Sequence, residues 1–262
     1  MIKAMRTAAS GMVAQQMNVD NIANNLANAS TNGYKRTRVE FQDVLYKNYR
    51  QAGSATAIGS SVPTDLAIGY GTRPVATVRE FSVGDLVNTG NPLDMAIAGN
   101  GFFQISMPDG TIAYTRDGAF KLSAEGQVVT ADGFFLLPEL TIPEDATAVS
   151  IALDGEISVM LVGNEEPQVI GQLELARFIN PAGLSAVGHN LYVQTGASGD
   201  PILGNPAQEG FGKIDQGYLE ISNVRVVDEM VNMIVSQRAY ELNSKVIQTS
   251  EEMTEIANNL KR

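Results

Sequence analysis

The feature that most constrains this chain is a pair of amphipathic repeats, one near each end. In both, apolar or small residues recur in alternating steps of three and four, which is a heptad pattern. The N-terminal series consists of Ile2, Met5, Ala9, Met12, Gln16, Val19, Ala23 and Leu26. The C-terminal series consists of Val235, Ala239, Leu242, Val246, Thr249, Met253, Ile256 and Leu260. They predict two long helices whose seams pack on each other in a coiled-coil-like layer.

Asparagines accumulate on the N-terminal helix. Their register, at heptad positions b, c and f, turns them away from the predicted seam: Asn18, Asn21, Asn24, Asn25 and Asn28. Asn within a helix costs roughly 0.5–0.7 kcal/mol relative to Ala, yet neutral amides can bond across a packed interface without the desolvation cost of ions. We therefore expect this amide face at an interface between subunits. The alternatives are a solvated helix face and, for the seam, a purely intramolecular helix pair.

Residues between the helices have the pattern of short strands. Acidic-Gly pairs at Asp109, Asp117, Glu125, Asp132 and Asp154 predict hairpin turns. Residues 51–63 are small and polar, as in a linker or loop. The prediction is an α+β fold with an inserted antiparallel β domain. Its segments are the N-terminal helix (1–32), a connecting region with a long loop (33–92), the β domain (93–207), a return of the connecting region (208–222) and the C-terminal helix (223–262).

Composition and charge argue against several functions. A formal charge of −11 disfavours binding to nucleic acid or anionic membranes, and no segment approaches the ~20 apolar residues of a membrane span. The absence of cysteine excludes thiolate metal sites and a Cys nucleophile. The single histidine, His189, has no nucleophile motif beside it, and the acidic-Gly pairs lack calcium-loop spacing. We predict a protein that is not an enzyme and has no cofactor or metal. Because the N-terminus lacks the apolar core of a secretory signal, we also expect one of two outcomes. Either the protein stays in the cytoplasm, or it is exported by a route that needs no cleaved signal peptide.

Two long motifs resemble those of the bacterial flagellar rod and hook proteins. The stretch NNLANASTNGYKR, residues 24–36, is similar to the N-terminal signature of that family. The stretch QGYLEISNVRVVDEMVNMIVSQRAYELNSKVIQTSEEM, residues 216–253, is similar to its terminal helix. The total length and the middle motifs GTRPVAT, GNGFFQI and AYTRDGAF resemble the distal-rod members most. The resemblance therefore covers nearly the whole chain.

This resemblance implies a subunit that polymerises helically into the hollow, rigid distal rod of the basal body and transmits torque from motor to hook. The implied partners are further copies of the chain, proximal rod proteins, hook protein, the P- and L-ring bushing and the flagellar type III export apparatus. The implied location is the rod in the periplasmic space. A segment at about Tyr46–Ile68 would stiffen the tube, and its residues are Tyr46, Arg50, Pro63, Leu66 and Ile68.

The heptad and amide patterns predict which residues mediate subunit assembly. They are Met5, Met12, Val19, Ile22, Asn24, Asn25, Leu26, Asn28, Val235, Leu242, Val246, Met253, Ile256 and Leu260. Two alternatives stay open. One is a proximal rod or hook subunit of the same family, and the other is a β-domain binding module or hydrolase carried on a helical stalk.

Overall fold

The computed structural model describes residues 2–53, 63–163, 166–208 and 210–260. Two compact units make up the chain. The first unit combines Met1–Leu26, Thr37–Val78 and Arg225–Arg262, and the second combines Ala27–Arg36 and Arg79–Val224. Each unit combines segments from several of the five predicted divisions. The boundaries of those five divisions stay a prediction.

Two long helices belong to the first unit. Helix α1 spans Ile2–Ala27 and α2 spans Val226–Asn259, as the repeats predicted. Asp228 and Glu229 occupy the first turn of α2, where negative charge is favourable beside the helix dipole. Among the described residues, no helix is both long and apolar enough to cross a membrane.

Four strands complete the first unit. Strand β1 (Thr37–Asp43) pairs with β4 (Thr72–Arg79), and β2 (Tyr46–Arg50) pairs antiparallel with β3 (Leu66–Gly69). The predicted loop at 51–63 lies between β2 and β3, and residues 54–62 of it fall outside the described residues.

The second unit is an antiparallel β structure. Its largest sheet has seven strands in the order β16-β17-β8-β7-β11-β10-β9, and a three-stranded sheet has the order β12-β13-β14. Two-stranded ribbons pair β5 with β20, β6 with β19 and β15 with β18. The strands are β5 Leu86–Asn88, β6 Met95–Ala98, β7 Phe103–Ser106, β8 Ile112–Thr115, β9 Lys121–Leu122, β10 Val128–Val129, β11 Phe135–Leu137, β12 Ala146–Ile151, β13 Glu156–Leu161, β14 Gln168–Gln172, β15 Leu175–Arg177, β16 Ser185–Gly188, β17 Leu191–Val193, β18 Ile202–Gly204, β19 Lys213–Gln216 and β20 Tyr218–Glu220. A short 3₁₀ helix covers Pro181–Gly183.

Four of the five predicted hairpin turns are confirmed. The acidic-Gly pairs beginning at Asp109, Glu125, Asp132 and Asp154 each join two antiparallel partners. The prediction for Asp117-Gly118 is wrong, because β8 and β9 do not pair. A Cβ on Gly118 would lie 1.6 Å from the carbonyl oxygen of Met95, so this glycine permits a close crossing of two segments.

Two apolar clusters form the core of the second unit. The larger cluster is aliphatic with few aromatics and includes Ile97, Phe103, Leu136 and Ile214. The smaller one, here called the aromatic cluster, consists of Phe102, Tyr114, Ala176, Phe178, Leu184 and Tyr192 with Phe81 packed against it. Its rings meet edge to face, with centroids 4.8–6.2 Å apart, which is the favourable geometry for aromatic pairs.

Candidate assembly surface

The two helices of the first unit meet along a polar seam. A Cβ on Gly11 would lie 2.9 Å from Nδ2 of Asn243, so the helices approach closely there. One heptad further along α1, the Nδ2 of Asn18 donates to the Oγ of Ser236 over 2.8 Å. After another heptad, Asn25 Nδ2 lies 3.4 Å from Oε2 of Glu229. Each step of seven along α1 matches a step of seven backward along α2. The helices are therefore antiparallel and in a fixed register.

Two asparagines of α1 also anchor the start of β1. The backbone N–H of Thr37 donates to Oδ1 of Asn25 over 2.9 Å, and the Nδ2 groups of Asn21 and Asn25 both donate to the Thr37 carbonyl over 2.8 Å. Asn25 is fully buried. The amides of Asn18, Asn21 and Asn25 thus bond within the chain, which argues against the expected subunit interface at buried Asn25 and leaves it a prediction at half-buried Asn18 and Asn21. The short amide side chain can satisfy both backbone groups of a neighbouring segment, which explains the preference for Asn.

The predicted packing of the two apolar seams on each other is also wrong. The side of α2 that faces α1 contains the buried residues Glu229, Ser236 and Ser250. The predicted C-terminal seam is exposed instead, with Leu242 at 66% and Ile256 at 60%. Upstream, Val227, Val231 and Ile234 continue the exposed row. We call this row the α2 stripe; it comprises Val227, Val231, Ile234, Val235, Leu242, Val246, Met253, Ile256 and Leu260.

The N-terminal assembly residues divide into three groups. Ile22 and Asn25 are buried, which assigns both to packing within the chain. Asn24 is exposed. The others are half-buried, and they are Met5, Met12, Val19, Leu26 and Asn28. The hydroxyl of Thr31 also donates to Oδ1 of Asn28, just beyond the end of α1.

Four of the predicted stiffening residues lie on the strand pair of β2 and β3, here called the hairpin, and Pro63 precedes β3. All five of them, Tyr46, Arg50, Pro63, Leu66 and Ile68, are exposed. The hairpin contacts α1 through Lys3, whose Nζ donates to the Tyr49 hydroxyl over 2.6 Å. This hydrogen bond lowers the pKa of Tyr49, whereas a hydrogen bond with Asp43 raises the pKa of Tyr46. Between hairpin and helices lies a cavity of about 490 Å³, lined by residues that include Ala8, Ile68 and Val246.

A buried ion cluster holds the second unit together. Its three members, Lys35, Arg116 and Glu220, are each at most 2% exposed. Lys35 Nζ lies 2.5 Å from Oε1 of Glu220, and Arg116 Nη1 lies 3.2 Å from Oε2. Arg116 also donates to the carbonyls of Ile97 and Gly99. Desolvation by burial lowers the pKa of Lys35 and of Arg116, because it disfavours their charged forms.

The signature stretch at residues 24–36 explains part of this cluster. Gly33 has a φ of +65°, and a Cβ there would lie 2.6 Å from the backbone of Arg116, so glycine is required. The Gly33 N–H donates to the carbonyl of Glu220 over 2.8 Å. The motif thus positions Lys35 beside its partners.

Sequence reasoning missed both the polar seam and the ion cluster. The seam has a signal, since Gly11, Asn18 and Asn25 are spaced by seven residues, as are Glu229, Ser236 and Asn243. The single histidine is exposed in the turn between β16 and β17, where its Nδ1 lies 3.1 Å from Asp132. Among the described residues, no group of three or more His, Cys, Asp or Glu could hold a metal ion.

Three family models match this chain in consecutive order. Residues 5–35 match the model for flagella basal body rod proteins, and residues 96–159 match the D1 domain of the flagellar hook proteins FlgE/F/G. Residues 215–260 match the C-terminal model of the flagellar basal body rod FlgEFG proteins. The matches and the architecture define a structural protein of the flagellar hook and rod class.

Full-length relatives narrow this class. The chain is 49% identical to the flagellar basal-body rod protein FlgG of Borreliella burgdorferi, over 100% of both chains. It is 46% identical to FlgG of Caulobacter vibrioides, over 99% of this chain and 100% of the relative. It is 30% identical to the rod protein FlgF of the same organism, over 98% and 97%. The chain belongs to the family of flagellar basal-body rod proteins.

Proposed function

We propose that this protein is a structural subunit that polymerises helically into the hollow, rigid distal rod of the flagellar basal body. The observation that carries the proposal is the exposed α2 stripe. The side of α2 that faces α1 packs against it by close approach and hydrogen bonds along the polar seam. The large apolar side chains of α2 lie on the surface instead. A contiguous apolar row of this length marks a protein interaction site.

The occupant of the stripe is a further copy of the chain. In a head-to-tail contact, one surface of a subunit binds a different surface of the next, which generates a helical tube when the rotation does not close. The second surface includes the half-buried residues Met5, Met12, Val19 and Leu26 of α1. The assembly residues are therefore the predicted ones without Ile22 and Asn25, which are buried.

The hairpin of β2 and β3 supplies the stiffness of the rod. Its exposed apolar residues, Tyr46, Leu66 and Ile68, contact neighbouring subunits in the tube, while Lys3 and Tyr49 fix the hairpin to its own helix. The rod lies in the periplasmic space and transmits torque to the hook. Its other partners are the proximal rod proteins, the hook protein, the P- and L-ring bushing and the type III export apparatus. No catalytic role belongs to this proposal.

Electron microscopy of concentrated purified protein tests this function. We expect straight tubes from the wild type and none from Leu242→Asp, whose monomer keeps its circular dichroism spectrum because Leu242 is exposed. Gln248→Asp is the matched control, since Gln248 is exposed and lies about 120° around the helix from Leu242. Normal tubes from Leu242→Asp would refute the stripe as the interface. A wild type that stays monomeric would refute the function, and curved tubes would indicate a hook subunit.

A further inference from the structure

A second cavity, of about 380 Å³, opens at the aromatic cluster of the second unit. Two arginines line it, Arg116 and Arg177. Its remaining lining is mainly apolar or aromatic, and includes Phe81, Phe102 and Phe178. Two exposed residues of its lining, Ile179 and Ile202, are also apolar. The cavity therefore combines positive charge with an apolar surround.

The positive charge at this cavity is not balanced. The ion cluster contains two cations and one carboxylate, and Glu220 is the one acidic partner of Lys35 and Arg116 in the part of the chain that the structure describes. The Nε of Arg116 is buried without a hydrogen-bond partner there. Buried charges are ordinarily paired, because desolvation is otherwise costly. An additional anion close to Arg116 would balance the second positive charge of the ion cluster and would accept a hydrogen bond from the Nε of Arg116.

Arg177 supplies a second cation that is available to such an anion. Its guanidinium carbon lies 5.4 Å from the ring centre of Phe211, and the residue as a whole is half-buried. Within the described ranges, no ion pair includes Arg177. A guanidinium in this state binds carboxylates well, because its planar donors match their two oxygens.

We infer that this cavity binds the carboxylate of an Asp or Glu side chain from a second copy of the chain. The inference rests on the proposed function, which places other copies against each subunit. The sequence has 29 acidic and 18 basic residues, so a neighbouring copy presents carboxylates in excess. The apolar surround suits the methylene stem of such a side chain, and burial beside aromatic rings strengthens its attraction to the two guanidinium groups.

Side-chain NMR of the monomer tests the cavity itself. We would record the Nε–Hε signals of arginine during titration with butyrate, a carboxylate on an apolar stem, and with butanol as the uncharged control. Saturable shifts of the Arg116 and Arg177 signals with butyrate alone are expected. Arg177→Gln removes the shift of Arg116, and Arg177→Lys retains part of it. Lys121→Gln is the control: it removes one positive charge, as Arg177→Gln does, at an exposed position on β9, and it leaves both shifts intact. Absence of any shift in the wild type would overturn the inference.

Assembly assays test the origin of the carboxylate. Arg177→Gln should raise the critical concentration for tube formation about tenfold, the effect of losing one charge-assisted hydrogen bond. Saturating butyrate should raise the critical concentration of the wild type by a similar factor and should leave the critical concentration of Arg177→Gln unchanged. If butyrate binds the monomer and does not affect assembly, the second copy is the wrong occupant. If the wild type never forms tubes, the proposed function and the second-copy occupant both fail, and the titration still decides whether a carboxylate site exists.

Discussion

The amide of Asn18 and the hydroxyl of Ser236 bond at the middle of the polar seam, although 218 residues separate them in the chain. Seven residues to one side, Gly11 lies against Asn243, and seven to the other, Asn25 lies against Glu229. The seam therefore joins the two ends of the chain by small and polar groups. Large apolar groups of α2 remain available to other molecules.

Replacement of Asn25 should weaken the first unit strongly. In Asn25→Leu the buried N–H of Thr37 loses its bond to the amide, while the Thr37 carbonyl keeps the donor from Asn21 and Glu229 loses one donor. An unpaired buried polar group costs about 1–3 kcal/mol, so we expect a loss of about 1–3 kcal/mol from the Thr37 N–H. Hydrogen exchange of α1 and of the Thr37 amide measures it. Ala23→Leu, at an exposed position of the same helix, should change protection little, and equal protection in both variants would contradict the role of Asn25.

Glu220 should be the most sensitive position of the buried ion cluster. Glu220→Gln leaves Lys35 and Arg116 buried without a counter-charge. Removal of one partner of a buried ion pair costs about 3–5 kcal/mol. Urea denaturation followed by near-ultraviolet circular dichroism measures this loss. Glu156→Gln, an exposed change in the same unit, should stay within about 0.5 kcal/mol of the wild type. A similar small effect for Glu220→Gln would show that the pair is dispensable.

Asp117 should give the second unit a distinct dependence on pH. Burial raises the pKa of its carboxyl above 3.8, although hydrogen bonds from Ala119 and Asn190 act in the opposite direction. The folded state therefore binds the proton more tightly than the unfolded state. This contribution to stability is complete below the unfolded pKa and disappears as pH rises through the folded pKa. Across that window, the wild type should lose stability relative to Asp117→Asn in urea titrations.

Asp109 provides the control of opposite sign for this experiment. Hydrogen bonds from Thr111 lower the pKa of its carboxyl, so its contribution is present above the unfolded pKa and is lost as pH falls through the folded pKa. The folding stability of the wild type should therefore increase relative to that of Asp109→Asn as pH rises. If the stability difference from Asp117→Asn did not change with pH, the raised pKa of Asp117 would be refuted.

Tyr49 should report the contact of the hairpin with α1. The hydrogen bond from Lys3 lowers the pKa of the Tyr49 hydroxyl. In an alkaline absorbance titration, the difference between wild type and Tyr49→Phe isolates this residue. We expect it to ionise at lower pH than Tyr46, whose pKa Asp43 raises. Lys3→Met should move the Tyr49 transition upward. A Tyr49 transition that Lys3→Met leaves unchanged would argue against the contact.

Sequence patterns predicted the positions of helices and turns better than they predicted which residues contact each other. The heptads located both helices, and acidic-Gly pairs located four hairpins, because periodicity and turn chemistry are local properties. Hydrophobic periodicity identifies the apolar face of a helix and does not reveal whether its own chain or another copy covers it. The heptad prediction packed the C-terminal seam on α1, whereas its large apolar residues are exposed, and their role in subunit assembly stays a prediction. The meeting of Lys35 with Glu220 depends on a separation of 185 residues, which no local pattern contains.

The ion cluster also affects the order in which the chain can fold. Its members come from the beginning, middle and late parts of the sequence, at Lys35, Arg116 and Glu220. A chain that emerges with its N-terminus first would place two cations in a forming core before their carboxylate is present. Contacts of such high sequence separation form slowly, because loop closure precedes any gain from them. The ion cluster can therefore be completed only after the segment that carries Glu220 has arrived.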